Sequence, residues 1–140
     1  MHRPRKTAGR REAASAESVS RIIQELSLDD TGRLIVVEGA RDRQALVELG
    51  VKARIMTLRS FIKLAATDWL ERENFSEIVV LTDFDRKGRL HSVKIRKICC
   101  GRVRINTEYK HRLKQALGNS AKDVEGIPGF LREIRAQEAV

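Results

Sequence analysis

An α/β domain built around a mainly parallel sheet of about four strands is what this 140-residue sequence predicts, on three observations. Strand-like and helix-like patterns alternate along the chain. The two strongest strand candidates, Leu34 to Val37 and Ile78 to Leu81, are unbroken apolar runs, as expected where helices cover both faces of a sheet. The length suits one domain with its own core and does not suit two.

The first 15 residues carry Pro4, Gly9 and five basic side chains without an apolar stripe, and are read as a basic disordered arm. Val19, Ile22, Ile23 and Leu26 then mark one face of a helix from about Ser15 to Leu28, within an N-terminal helical segment over 16–32. Asp29, Asp30, Thr31 and Gly32 form the turn that ends it. The strand Leu34–Val37 follows, then a short helix through Ala45, Leu46 and Leu49 that stops at Gly50, and a brief strand from Arg54 to Thr57. Ile62, Ala65, Ala66 and Trp69 predict a crossover helix over Ser60–Glu73, with Ser60 as its cap. After the strand Ile78–Leu81, a helix from Arg86 to Cys100 ends at Gly101, and Val103–Ile105 is the last strand. A helix capped by Asn106 or Thr107 and closed by Gly118 opens a basic helical extension over 106–140. Within that extension Pro128-Gly129 is read as a turn before a final short helix. The core of the domain is thus placed at 33–105.

Composition narrows the class. No apolar run approaches the length of a membrane span, so no membrane association is expected. Cys99 and Cys100 are adjacent, a poor geometry for a disulfide, and the scattered His2, His91 and His111 give no zinc spacing. A reducing, cytoplasmic location is expected. The formal charge of +9 is concentrated. From Arg86 to Lys114 the chain carries Arg86, Lys87, Arg89, Lys94, Arg96, Lys97, Arg102, Arg104, Lys110, Arg112 and Lys114 against one acid, Glu108. A solvated helix face would account for such a run, and a polyanionic partner accounts for it equally.

The acidic residues give that choice a direction. In open parallel sheets functional groups gather at the carboxyl ends of the strands. Glu38 follows the first strong strand, and Asp83 and Asp85 follow the second. Three carboxylates brought together either hold a divalent cation or raise a pKa, and magnesium, one ion or two, suits oxygen ligands completed by phosphate. Gly39 and Gly88 would let backbone and a phosphate approach closely; ordinary strand-to-helix turns would also use them.

Val37-Glu38-Gly39-x-x-Asp42-x-x-Ala45-Leu46, followed by Val80-Leu81-Thr82-Asp83-Phe84-Asp85-x-x-Gly88, resembles the Toprim domain. This Rossmann-like catalytic core is shared by topoisomerases, bacterial-type primases and the 5S ribosomal RNA maturation nuclease. The match runs from about Arg33 to Ile105. With the Asn106-Thr107-Glu108 and Lys122-Asp123-Val124-Glu125-Gly126 segments, the whole chain looks most like small stand-alone Toprim proteins of archaea and some bacteria. The resemblance implies that Glu38 is a general acid or base and that Asp83 and Asp85 bind magnesium; Glu38 would either move a proton or complete the metal shell. Asp42 matches an accessory acidic position that a helix cap would explain equally well. The only tyrosine, Tyr109, sits in a basic helix and reads as packing or a stacking surface.

Two other readings compete. A haloacid-dehalogenase phosphatase also places Asp-x-Asp after a strand, but wants Thr or Val where Lys87 stands. A non-catalytic module would keep the fold and use the basic face to bind RNA or a ribosome, through phosphate contacts without sequence choice. Low aromatic content argues against a platform that stacks single strands and favours structured RNA or duplex. The expected partner is nucleic acid, RNA before DNA, with ribosomal RNA or a ribosomal particle as a specific case. A protein partner would supply substrate choice. The retained carboxylates favour a magnesium-dependent nuclease or nucleotidyl-transfer activity on phosphodiester bonds.

Overall fold

The apolar run after Gly32 forms β1 (Arg33–Val37), with all five residues buried. Ile78–Leu81 forms most of β3 (Glu77–Leu81), which pairs with β1 in parallel. The computed structural model describes residues 3–28 and 32–138, with side chains described from Arg11 onward. The element order is α1 (Arg3–Ser27), β1, α2 (Ala40–Glu48), β2 (Arg54–Thr57), α3 (Leu58–Ala65), α4 (Trp69–Glu73), β3, α5 (Arg86–Cys99), β4 (Ile105–Asn106), α6 (Glu108–Leu117), a 3-10 turn at Val124–Gly126 and α7 (Ile127–Glu138). The four strands lie in the order β2-β1-β3-β4, every pair parallel, so the fold is a parallel α/β fold with helices at both ends.

Two cores explain why the strand sequences lack polar alternation. Successive side chains on a strand face opposite ways. Ile35, Val37, Val79 and Leu81 enter one core, with Val19, Ile22 and Leu26 of α1 and Leu113 and Leu117 of α6. Leu34, Val36, Ile78 and Val80 enter the other, with Phe61, Trp69, Phe75 and Ile95. Both faces are covered, so both faces are apolar. No described helix is long and apolar enough to cross a membrane.

Several boundaries differ from expectation, each for a local reason. The helix expected from Ser15 begins at Arg3, within the stretch read as a disordered arm. Its Ala and Arg residues are strong helix formers, Pro4 falls in the first turn where it is tolerated, and Ala13, Ala14 and Ala16 line a hollow against Leu131 and Ile134. Small side chains packed on another helix leave no apolar stripe to read. Met1, His2 and the expected turn at Asp29–Thr31 lie outside the described residues. The single crossover helix over Ser60–Glu73 is two helices. Thr67 Oγ1 donates to Leu64 O at 2.6 Å and accepts the Trp69 N–H at 3.1 Å, local bonding that competes with a continuing helix. The cap of α3 is Thr57, which accepts from Ser60 N–H at 3.3 Å.

The last strand starts at Ile105 rather than Val103, because Val103 N–H closes a turn onto Cys99 O at 3.1 Å. Pro128 and Gly129 lie in the first turn of α7, where the missing proline N–H costs nothing. The segment beyond residue 106 is built into the domain: Leu113, Leu117, Val124, Ile127, Phe130 and Ile134 belong to the first core.

Candidate metal centre

The β1–β3 register pairs Val37 with Leu81, so both strands end at the same level. Glu38 and the Thr82–Asp85 loop therefore leave the sheet side by side, an arrangement dictated by parallel pairing alone. Glu38 Oε1 accepts the Asp83 N–H at 3.2 Å, and Glu38 Oε2 lies against His91 Nδ1 on α5. The Glu38 carboxylate is thereby oriented from two sides. Asp85 caps α5 by accepting the Gly88 N–H at 2.8 Å, while its side chain stays at the surface. Asp83 sits half-buried between them.

A second acidic group closes the edge from another direction. Asp42, buried in the first turn of α2, accepts the Gly39 N–H through Oδ2 at 3.0 Å and the Glu125 N–H through Oδ1 at 2.9 Å. The second bond draws in the turn after Asp123, whose own carboxylate accepts the Gly126 N–H at 3.0 Å. Oxygens of Asp42, Asp123 and Glu125 all lie within 4.8 Å of one another, close enough to share a cation.

The electrostatics follow from this crowding. Burial pushes the Asp83 carboxyl up to about 7, and the negative charges of Asp42, Glu38, Asp123 and Asp85 add to it. Burial also raises Asp42, against the pull of the two amides that it accepts. The nearest buried cation is Lys110, whose Nζ donates to Thr82 Oγ1 at 2.7 Å and to Gly88 O at 3.3 Å. Burial lowers the Lys110 ammonium, while the attraction of Glu38 and Asp83 raises it.

The sign of the resulting pH dependence is fixed. A carboxyl raised in the fold from 3.8 to about 7 contributes stability that is fully present below 3.8 and lost as pH rises through about 7. Without metal, the melting midpoint is expected to fall by on the order of a few degrees from roughly pH 5 to pH 8 through this group. Asp83→Asn is expected to flatten that fall, and a divalent cation held by these carboxylates would flatten it in the wild type; differential scanning calorimetry across the pH range checks both.

The remaining sequence-predicted residues separate into groups. Gly39 stands at the mouth of α2, where an added Cβ would meet only Asp42 Oδ2, at 3.9 Å. Gly88 is buried, and an added Cβ would stand 1.8 Å from Asp83 O, so the chain's own backbone fills the space beside it. Arg86, Lys87, Arg89, Lys94, Arg96, Lys97, Arg104 and Lys114 are exposed. The other three basic residues are engaged within the chain. Lys110 lies under the loop, Arg102 grips Glu71 with bonds of 2.6 and 3.0 Å, and Arg112 grips Glu25 with bonds of 2.8 and 2.7 Å. Tyr109 packs against the first core, and its hydroxyl accepts from Arg33 Nη1 at 3.4 Å.

His91 and the buried role of Lys110 were not foreseen from the sequence, and Asp123 and Glu125 entered only within the Lys122–Gly126 segment that carries the resemblance, without a site role. Asp123 carried one readable signal, an Asp three residues before Gly126 and ahead of a proline-started helix. His91 and Lys110 carried none, since a lone histidine and one lysine among eleven basic residues look like surface.

The sequence model of the Toprim domain family matches residues 33–117. A UPF0292 protein of Methanocaldococcus jannaschii is 28% identical over 118 residues, spanning 84% of this chain and 92% of its own. A UPF0292 protein of Thermococcus sibiricus is 34% identical over 123 residues, spanning 86% of this chain and 96% of its own. A solved structure of a protein from Aquifex aeolicus superposes with a TM-score of 0.58 over 76% of this chain and 94% of that one. At 18% identity it bears on the fold alone.

Proposed function

The chain belongs to the Toprim domain family, and from that premise we propose that it is a magnesium-dependent protein acting on phosphodiester bonds of nucleic acid. RNA is favoured over DNA, the reaction class is nuclease or nucleotidyl transfer, and ribosomal RNA maturation in the cytoplasm is the working assignment. One observation carries the reading. Glu38 and Asp83 leave adjacent parallel strands at one edge, and Asp42, Asp123 and Glu125 bring carboxylate oxygens within 4.8 Å of one another. Burial, with the charges of Asp42 and Asp123 close by, pushes the half-buried Asp83 carboxyl up. The donors are all hard oxygens, which suits magnesium.

Asp42, Asp123 and Glu125, the group whose oxygens lie within 4.8 Å of one another, would hold one ion. Glu38, Asp83 and Asp85, which share the sheet edge without forming so close a group, would hold a second once their side chains turn toward it. Bound magnesium neutralises a phosphodiester and favours the charge that develops on it during transfer. Glu38, fixed by the Asp83 amide and His91, moves a proton at the attacking or leaving oxygen. The exposed basic residues of α5 hold the backbone beside the carboxylates through phosphate contacts. Reversing Lys94, Arg96 and Lys97 to Glu weakens binding and flattens its salt dependence, as measured by anisotropy over a salt series.

One observation favours a second reading. Both Glu38 oxygens already have partners, which suits a module that binds RNA or a ribosomal particle without turnover. Incubation with labelled 5S ribosomal RNA precursor, unrelated RNA and DNA, with and without magnesium, separates the two. Magnesium-dependent products that vanish in Glu38→Gln support the enzyme. Retention of RNA without any product under every condition leaves the binding module.

A further inference from the structure

Among the hollows along the helices of the described residues, one of about 270 Å³ between α2 and α7 mixes Glu48 and Glu125 with Arg41 and Arg132, and three larger ones differ in their chemistry. The one between α1 and α7, about 470 Å³, mixes Glu17 and Glu138 with Arg135. The one between α1 and α6, about 350 Å³, contains Arg112, which is already paired with Glu25. The third, about 300 Å³, lies between α5 and α6 and has no acidic residue in its wall. Its inner wall includes Phe84 and Lys110, both at least nine-tenths buried, and its rim carries Val93, Arg89, Arg96 and Lys114.

The position of this hollow is as informative as its charge. Phe84 is the residue between Asp83 and Asp85, so one loop supplies the carboxylates on one side and the hollow's wall on the other. Lys110 fastens that loop at both ends, through Thr82 Oγ1 and Gly88 O. The volume is at the small end of ligand sites, roughly 300–1,000 Å³, which suits one ring system and not a helix or strand of a partner. Phe84 and Val93 offer apolar surface, and the exposed Arg89, Arg96 and Lys114 surround it, a complement to a nucleobase between two phosphates.

We propose that the α5–α6 hollow seats a single unpaired nucleotide next to the phosphodiester presented to the carboxylate cluster. The inference rests on the phosphodiester reading above and deepens it by naming the substrate feature recognised: a bulged or frayed nucleotide within an otherwise structured nucleic acid. The base lies against Phe84 and Val93, and the flanking phosphates lie on Arg89, Arg96 and Lys114. One seat for one base also fits the low aromatic content, which excludes a platform for several stacked bases.

The test compares a perfect RNA duplex with the same duplex bearing one bulged 2-aminopurine, both titrated with the full-length protein by anisotropy. Wild type is expected to prefer the bulged duplex by about tenfold, with a change in 2-aminopurine fluorescence on binding. Ser92→Gln with Val93→Gln fills the hollow with neutral bulk on an exposed helix face. That variant is expected to lose the preference and the fluorescence change while keeping the affinity for perfect duplex. Arg96→Gln with Lys114→Gln weakens both duplexes and lowers the salt slope by about 2. Equal wild-type affinity for the two duplexes, failure to bind either, or a preference that survives in the filled variant overturns the proposal. Calorimetric titration with magnesium alone keeps the two readings apart. Bulge preference without magnesium binding counts against the phosphodiester reading only, and magnesium binding without bulge preference counts against the hollow only.

Discussion

Asp83→Asn combined with Asp85→Asn is expected to remove the ion proposed at Asp83 and Asp85, leaving at most one on Asp42, Asp123 and Glu125, and with it the proposed magnesium-dependent reaction, while retention of nucleic acid in a gel shift survives. The two substitutions remove charge and little else. Asn caps a helix as well as Asp does, so the bond from Gly88 N–H to residue 85 is kept and α5 keeps its start. The exposed basic side chains of α5 are untouched, so the electrostatic attraction for a phosphate backbone remains. The metal-free variant also melts higher than wild type near pH 8, because it removes the half-buried charge that four carboxylates oppose. Isothermal titration with magnesium and a melting curve in chelator measure the two effects on one preparation. Turnover unchanged in the double variant would sink the enzyme reading.

Gly88→Ala is the other change of large effect, and here two principles oppose each other in sign. Gly88 lies in the first turn of α5, and intrinsic helix propensity favours alanine over glycine by about 1 kcal/mol. Against this, the new Cβ would stand 1.8 Å from Asp83 O and 2.5 Å from the adjoining carbonyl carbon. Both are backbone atoms and cannot swing aside. Overpacking of flexible surroundings costs about 1–3 kcal/mol, and a clash with backbone belongs at or beyond the upper end. The contact wins, and the variant is expected to be less stable by several kcal/mol, or unfolded. Urea denaturation reads the stability. Any folded fraction also binds magnesium more weakly, because the displaced atom belongs to a residue of the carboxylate cluster. An alanine variant as stable as wild type would refute the close approach of helix and loop.

How much of this was legible depends on where each feature keeps its information. The sheet was legible because Leu34–Val37 and Ile78–Leu81 announce burial on both faces, and parallel order follows from the helices between them. The meeting of Glu38 with Asp83 was legible for the same reason, since parallel strands of equal register end together. The break at Thr67 was not, because a continuous apolar period runs through it and one hydroxyl decides the matter. Nor was the reach of Asp42 to the Glu125 N–H, a contact between residues 83 positions apart that depends on how the carboxyl-terminal helices fold back. Charge counting located the basic stretch but could not sort it. Lys110, Arg102 and Arg112 look like their neighbours in sequence and differ only in having Thr82, Glu71 and Glu25 opposite them.

The loop from Thr82 to Gly88 is tied together from within: Thr82 Oγ1 donates to Gly88 O at 2.8 Å, and Lys110 Nζ bridges the same two residues. This has a bearing on rates. A loop already closed has no ordering step to complete, so the capture of a divalent cation there would be paced by the shedding of the ion's own water and not by motion of the chain. The carboxylates do not assemble around a cation. The fold, finished beforehand, holds them side by side, and a proton on Asp83 is what relieves their repulsion while no cation is there.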